Sequence, residues 1–214
     1  MSCPLCLGTE SELFYRQPRA PLAGREFWQC LNCQLVWVPK PQHLDESAEK
    51  AIYDLHENNP EDPGYRRFLG KALNPLIGCL PKGAQGLDFG SGPGPALSGM
   101  LRDKGFACAD YDYYYARHPE LLSKTYDFIT ATEVVEHLSD PRSTIEQLLG
   151  CLKPGGRLLI MTKRWQDPAR FGGWSYKNDP THISIFHRDT LHWLARQYQL
   201  RIDYISDDVV IFTS

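Results

Sequence analysis

The sequence predicts an α/β protein: a mainly parallel sheet covered by helices on both faces, with one antiparallel strand near the C-terminus and a small cysteine-bound module at the N-terminus. Three observations carry this. From Gly86 onward, short apolar runs alternate with stretches of helical period. The first run, in "GLDFGSGPGPAL" (Gly86–Leu97), leads into a glycine-rich elbow. Four of the 7 cysteines fall in two pairs, "CPLC" (Cys3, Cys6) and "CLNC" (Cys30, Cys33).

Taken in order, residues 1–40 hold both cysteine pairs, the strand-like "LVWV" (Leu35–Val38) and a stop at "PKP". Residues 41–63 are polar and acidic, end in "NNPEDPG", and read as a linker. From Tyr65 a helical face appears in Phe68, Leu69, Ala72, Leu73, Leu76 and Ile77, with a kink or break expected at Pro75. A strand in "GLDFG" precedes a helix from about Pro95 to Lys104, and "FACADYD", "YDFITAT" and "GRLLIMT" are three further strands. Between the last two, Asp140 caps a helix that Pro141 opens and "KPGG" ends. An irregular aromatic and polar stretch follows Thr162, then a helix with Leu191, Leu194, Ala195 and Tyr198 on one face. Two closing strands, "LRIDYIS" and "DDVVIFTS", are joined too tightly to be parallel.

Composition excludes several classes. A net charge of −3 offers no electrostatic case for nucleic acid or a membrane surface. No apolar run approaches the ~18 residues that cross a bilayer, and "MSCPLCLGTESELF" lacks the basic and apolar regions of a signal peptide. A cytoplasmic enzyme is the expectation.

The elbow discriminates among ligands. A triphosphate loop needs Gly-Lys-Ser/Thr, and no lysine follows Gly94 within reach. The dinucleotide pattern G-x-G-x-x-G begun at Gly90 meets Pro95, and begun at Gly92 it meets Leu97. What remains is Asp88 ahead of Gly90, Gly92 and Gly94. An acid there suits a cationic amine and repels a pyrophosphate. Asp112, 24 residues after Asp88 at the end of the second strand, stands where a carboxylate accepts ribose hydroxyls. A nucleoside carrying an amino acid and no phosphate meets both conditions.

With "LDFGSGPGP", "YD" at 111–112, "FITATEVVEHL" (Phe128–Leu138) and "LKPGGRLLIMT" (Leu152–Thr162), residues 64–214 resemble the class I S-adenosylmethionine-dependent methyltransferases. The resemblance implies a Rossmann-like methyltransferase fold. It places Gly90, Gly92 and Gly94 under the methionine and ribose of the cofactor, Asp88 at its amino group, Asp112 on the ribose hydroxyls and Glu133 in the pocket lining. Only 13 residues separate Asp112 from Tyr126, too few for the family's usual extra strand and helix. Six strands in the family's order 2-1-4-5-7-6 are therefore expected, with one edge strand missing. The adenine contact of the missing loop falls to Tyr113–Tyr115, unless those tyrosines only cover the sheet edge.

Two CxxC pairs bring four thiolates to one tetrahedral ion, and Zn2+ is the metal they favour. Cys3, Cys6, Cys30 and Cys33 are thus read as structural zinc ligands in a zinc-ribbon-like module of residues 1–40, followed by the linker 41–63 and the methyltransferase domain 64–214. Neither pair opens a helix that would lower a thiol pKa, which weighs against a redox role. Four thiolates also leave no position for zinc-activated methyl transfer.

The acceptor side is expected in "WSYKNDPTHISIFH", with Tyr176, Asp179, His182 and His187 as candidates. His182 is the first choice for a base or substrate-orienting group, with Asp179 beside it; the alternative is that both only pin the loop. His137 is read as an orienting or structural group. A small-molecule acceptor fits the acidic balance, with O-, C- or N-methylation open. The alternatives are an RNA base methyltransferase with an N-terminal zinc finger, to which "YRRF" and "KRW" lend small basic spots, and a non-catalytic binding module.

Overall fold

The structure is a computed structural model that describes residues 1–55 and 58–214. In chain order its elements are β1 (Ser11–Arg16), β2 (Glu26–Cys30), β3 (Val36–Trp37), α1 (Glu46–Tyr53), α2 (Pro63–Ile77), β4 (Gln85–Phe89), α3 (Ala96–Asp103), β5 (Ala107–Tyr111) and β6 (Tyr126–Thr132). Then come α4 (Pro141–Gly150), β7 (Leu152–Met161), α5 (Pro168–Phe171), β8 (Ser184–Ile185), α6 (Arg188–Gln197), β9 (Arg201–Ile205) and β10 (Val209–Thr213). They form two compact units. Unit one holds Met1–Leu55, Val135–Thr144 and Lys163–Tyr198; unit two holds His56–Val134, Ile145–Thr162 and Gln199–Ser214.

Unit two is built on a sheet ordered β5-β4-β6-β7-β10-β9. The pairs β4–β5, β4–β6 and β6–β7 are parallel, while β10 runs antiparallel to both β7 and β9. This is the expected six-strand order with one antiparallel strand. Between β5 and β6 the described residues form an isolated Asp112↔Ala116 bridge and a 3-10 turn, Pro119–Ser123, but no strand, so the extra edge strand is missing.

The central strands read as unbroken apolar runs because both faces are covered: Phe128, Ile129 and Ala131 in β6 and Leu158–Met161 in β7 are all buried. Helix α2 lays Leu69, Ala72, Leu73 and Leu76 into the same core as Met100, Leu101 and Ile211. Asp62 caps it by accepting from Tyr65 N at 2.6 Å. Of the kink or break expected at Pro75, the break does not occur: the helix runs on to Ile77. Pro75 lies in the last turn, where its missing N–H forfeits one hydrogen bond and little helix remains to be displaced. Pro95 stands at the N-cap of α3 rather than inside it.

Unit one carries an antiparallel sheet ordered β1-β2-β3-β8. Strand β3, just after the second cysteine pair, pairs with β8 through Val36↔Ile185 and Trp37↔Ser184. Phe27, Val36, Val38, Trp165, Phe171, Ile183 and Ile185 form the core beneath. The N-terminal segment thus shares one apolar core with residues far along the chain. Within the 41–63 stretch, Asp45 caps α1 by accepting from Ala48 N at 2.9 Å. Among the described residues, no helix is long and apolar enough to cross a membrane.

Candidate functional site

The elbow in unit two is held by its own backbone. Gly90 N–H donates to Tyr111 O at 2.7 Å, and Gly92 N–H donates to Asp112 Oδ2 at 2.9 Å. Gly90 takes φ +74°, and a Cβ there would meet Val134 Cγ2 at 2.4 Å. At Gly94 a Cβ would lie 2.0 Å from the carbonyl oxygen of Asn58, so backbone passes directly over the elbow. Only glycine permits that approach.

The acids expected at the site have distinct surroundings. Asp88 is 2% exposed, and its Oδ1 accepts from the Thr130 hydroxyl at 2.7 Å. Burial pushes its carboxyl up to about 7, with the Thr130 hydrogen bond opposing the rise. Asp112 Oδ1 accepts from Tyr114 N at 2.8 Å and Tyr115 N at 3.1 Å, so three backbone N–H groups converge on this carboxylate. Glu133 takes φ +54°, and its N–H donates to Met161 O at 2.8 Å. Burial, then the charges of Asp88 and Glu133, raise the Tyr65 hydroxyl to about 12.

The elbow fits a polar, phosphate-free nucleoside bearing a cationic amine. Among the described residues the buried Ser91 hydroxyl there has no hydrogen-bond partner, and carboxyl groups surround the elbow. Sequence reading missed Asn58, Ser91, Thr130 and Tyr65. Thr130, a hydroxyl in the middle of an apolar strand, was the one visible signal.

In unit one the four cysteines converge, with all their sulfurs within 4.8 Å of one another. Cys3 Sγ lies 3.5 Å from Cys33 Sγ, and Cys6 Sγ lies 3.3 Å from Cys30 Sγ. Each pair builds the same knuckle. Leu7 N donates to Cys3 O and Gln34 N to Cys30 O, both at 3.0 Å, while Cys3 N donates to Gly8 O and Cys30 N to Leu35 O, both at 2.9 Å. Leu7 and Gln34 occupy matching left-handed positions at φ 61° and 63°. The hydrogen bond from Cys33 lowers the Cys3 thiol to about 6, and the same contact raises Cys33. Charge on one sulfur opposes charge on the next, a conflict that a divalent cation removes.

Also in unit one, the loop from Tyr176 to His182 is pinned from several sides. Arg25 Nη1 donates to Asp179 O at 3.0 Å, and Nη2 donates to Pro180 O at 3.0 Å and His182 O at 2.9 Å. Asp179 Oδ1 accepts from Thr181 N at 2.8 Å and Thr181 Oγ1 at 2.6 Å. Burial alone would raise the Asp179 carboxyl, but the Thr181 bonds and the neighbouring His182 and His137 bring it below its ordinary value.

His182 is 7% exposed, and burial, then His137, lowers its imidazole to about 4. Its Nε2 lies 3.9 Å from Asp179 Oδ2, and its Nδ1 is 2.7 Å from Tyr176 O. The His137 ring lies 4.8 Å from the His182 ring, and the Tyr176 hydroxyl donates to Glu136 Oε1. His187 instead caps α6, its Nδ1 accepting from Asp189 N at 3.2 Å. The buried Glu136 and the Arg25 clamp were not read from the sequence.

The family described as "Methyltransferase domain" matches residues 63–205. The tRNA U34 carboxymethyltransferase of Desulfotalea psychrophila is 28% identical over 129 residues, covering 59% of this chain and 37% of that protein. The ubiquinone biosynthesis O-methyltransferase of Vibrio cholerae is 32% identical over 130 residues, covering 53% of each. The chain thus spans from about a third to about half of the length of these curated relatives. A crystal structure of the Burkholderia thailandensis 1,6-didemethyltoxoflavin-N1-methyltransferase, with its substrate and S-adenosylhomocysteine bound, aligns with a TM-score of 0.54 at 14% identity. That alignment covers 87% of this chain and 98% of the other, and it shows a shared fold. With the family match spanning most of its length, this chain belongs to the methyltransferase-domain family.

Proposed function

We propose that this protein is an S-adenosylmethionine-dependent methyltransferase acting on a small-molecule acceptor. The observation that carries it is the elbow of unit two, where Gly92 N–H is fixed on the Asp112 carboxylate beside a buried Ser91 hydroxyl that has no partner among the described residues. S-adenosylmethionine, when bound, supplies a methyl group already activated on a sulfonium. In this reading Asp88 and Glu133 favour its cationic amine, Asp112 accepts from its ribose, and Gly90, Gly92 and Gly94 let the backbone come close.

The acceptor then needs alignment and exclusion of water more than strong acid–base chemistry. His182, with Asp179, is assigned to orienting the acceptor. Its lowered pKa leaves a neutral imidazole at pH 7, which positions a group better than it removes a tightly held proton. Cys3, Cys6, Cys30 and Cys33 are assigned a structural Zn2+ that locks the two knuckles, with residues 1–40 as the zinc module and 64–214 as the donor-binding domain. An odd count of seven cysteines, four of them in two metal-type pairs, suits a reducing, cytoplasmic setting.

A nucleic-acid acceptor is the second reading. Arg66, Arg67 and Lys104 line a groove of about 420 Å³ in unit two, and one relative acts on tRNA. Titration calorimetry with S-adenosylhomocysteine should give one site per chain, and no heat at millimolar ligand would sink the enzyme reading. Transfer of labelled methyl to total tRNA, with none to small phenols, would move the acceptor to the second reading. Metal analysis of the same protein should give one zinc per chain, released by a thiol-directed mercurial.

A further inference from the structure

We propose that Glu136, His137 and His182 form a second metal site, one that takes a divalent first-row cation through two imidazole nitrogens and one carboxylate oxygen. It is distinct in chemistry from the four-thiolate site. All three residues belong to unit one, so the inference does not depend on the reading of the donor elbow.

One ligand atom from each of the three lies within 4.8 Å of the other two. Ligands about 2.1 Å from a common ion stand about 3–3.5 Å apart, so small side-chain rotations close the set. Each imidazole is also held as a metal-ligating histidine is held. His182 Nδ1 lies 2.7 Å from Tyr176 O, and His137 Nδ1 lies 3.2 Å from Thr181 O. A carbonyl oxygen only accepts, so a neutral ring at either place carries its proton on Nδ1 and leaves its lone pair on Nε2.

The carboxylate is oriented in the same way, by the Tyr176 hydroxyl on Glu136 Oε1. Glu136 itself is 0% exposed. A divalent cation compensates the charge of a carboxylate buried this deeply. Backbone bonds fix the frame: Ile183 N donates to Glu136 O at 2.8 Å, and Arg25 holds the 179–182 carbonyls. Nitrogen and oxygen donors select ions such as Fe2+, Co2+ or Zn2+ rather than the softest metals. Three protein ligands leave positions open to water or another oxygen donor.

The test is Co2+ added to zinc-loaded, full-length protein. One Co2+ per chain should bind with d–d absorption and no thiolate-to-cobalt charge-transfer band. Glu136→Gln and His182→Gln should weaken it about 10-fold or more. S-adenosylhomocysteine binding and zinc content of the same samples report separately on the donor and thiolate sites. Should either variant fail to fold, the unaltered protein still decides. Its proton spectrum with Co2+ should show two exchangeable, hyperfine-shifted Nδ1–H signals, because both are sheltered by carbonyls. Absence of those signals, no cobalt uptake at millimolar Co2+, or uptake equally strong in folded variants would overturn the proposal.

Discussion

Replacing Asp88 by asparagine should change how unit-two stability depends on pH. The Asp88 carboxyl stands at about 7 in the folded protein against an ordinary 3.8, chiefly because burial penalises its charge. Near pH 3 the group is neutral in both states and costs nothing. Between about 4 and 7 the unfolded chain ionises it while the folded protein keeps the proton, so stability falls as pH rises through this window. Each pH unit is worth about 1.4 kcal/mol in the middle of this window and about half that at the folded pKa, so the span from pH 5 to 7 removes about 2 kcal/mol. The Asp88→Asn side chain has no charge to lose. Its oxygen can keep the Thr130 hydroxyl bond, while its amide meets the Ser98 backbone donor less well, a cost of about 1–3 kcal/mol.

The diagnostic quantity is therefore the slope, not the absolute stability. Urea unfolding of both proteins followed by circular dichroism at pH 5, 6, 7 and 8 gives a difference in which every other titration cancels. The variant should gain about 2 kcal/mol on the wild type between pH 5 and 7 and then level off. Trp28, Trp37, Trp165, Trp174 and Trp193 all lie in unit one, so tryptophan fluorescence serves as a control for zinc loss at low pH. A stability difference that stays flat from pH 5 to 8 would refute the burial argument.

Two further substitutions test the remaining geometry. Gly94→Ala places a methyl 2.0 Å from Asn58 O and must push the two backbone segments apart; S-adenosylhomocysteine affinity should drop about 10-fold or more with the zinc content unchanged, and unaltered affinity would show the elbow is slack. Arg25→Met removes the donor from three carbonyls while keeping most of the side-chain bulk. The 179–182 loop should lose about 2–4 kcal/mol of protection, read as faster amide exchange at Thr181 and Ile183.

Unit two was legible because its information is local. Each strand is an apolar run of the right length, each helix has a cap or a proline at its start, and the 13 residues between Asp112 and Tyr126 leave no room for another strand. The start of α4 is as local, although Asp140 and Ser143 belong to unit one: Asp140 accepts from Ser143 N at 3.0 Å, as the sequence signals. Pro75 does not break α2 because a proline's cost depends on how much helix follows it, and periodicity alone does not give that.

Unit one was opaque for the opposite reason. Strand β8 is two residues long, too short for any alternation to register, and exists because Val36 and Trp37 offer it an edge. Arg25 and the carbonyl of His182 stand 157 residues apart, and no local pattern marks an arginine that will be buried to hold carbonyls. Glu136 and His137 sit in "EVVEHL", where a carboxylate between apolar residues could as well have faced water. Only the fold brings the Tyr176 hydroxyl to one and the Thr181 carbonyl to the other. The donor elbow thus follows from the backbone needs of three glycines, which a single sequence displays. The chemistry of the acceptor loop depends on which buried side chains are held in one protonation state, and the residues that hold them come from segments far apart in the chain.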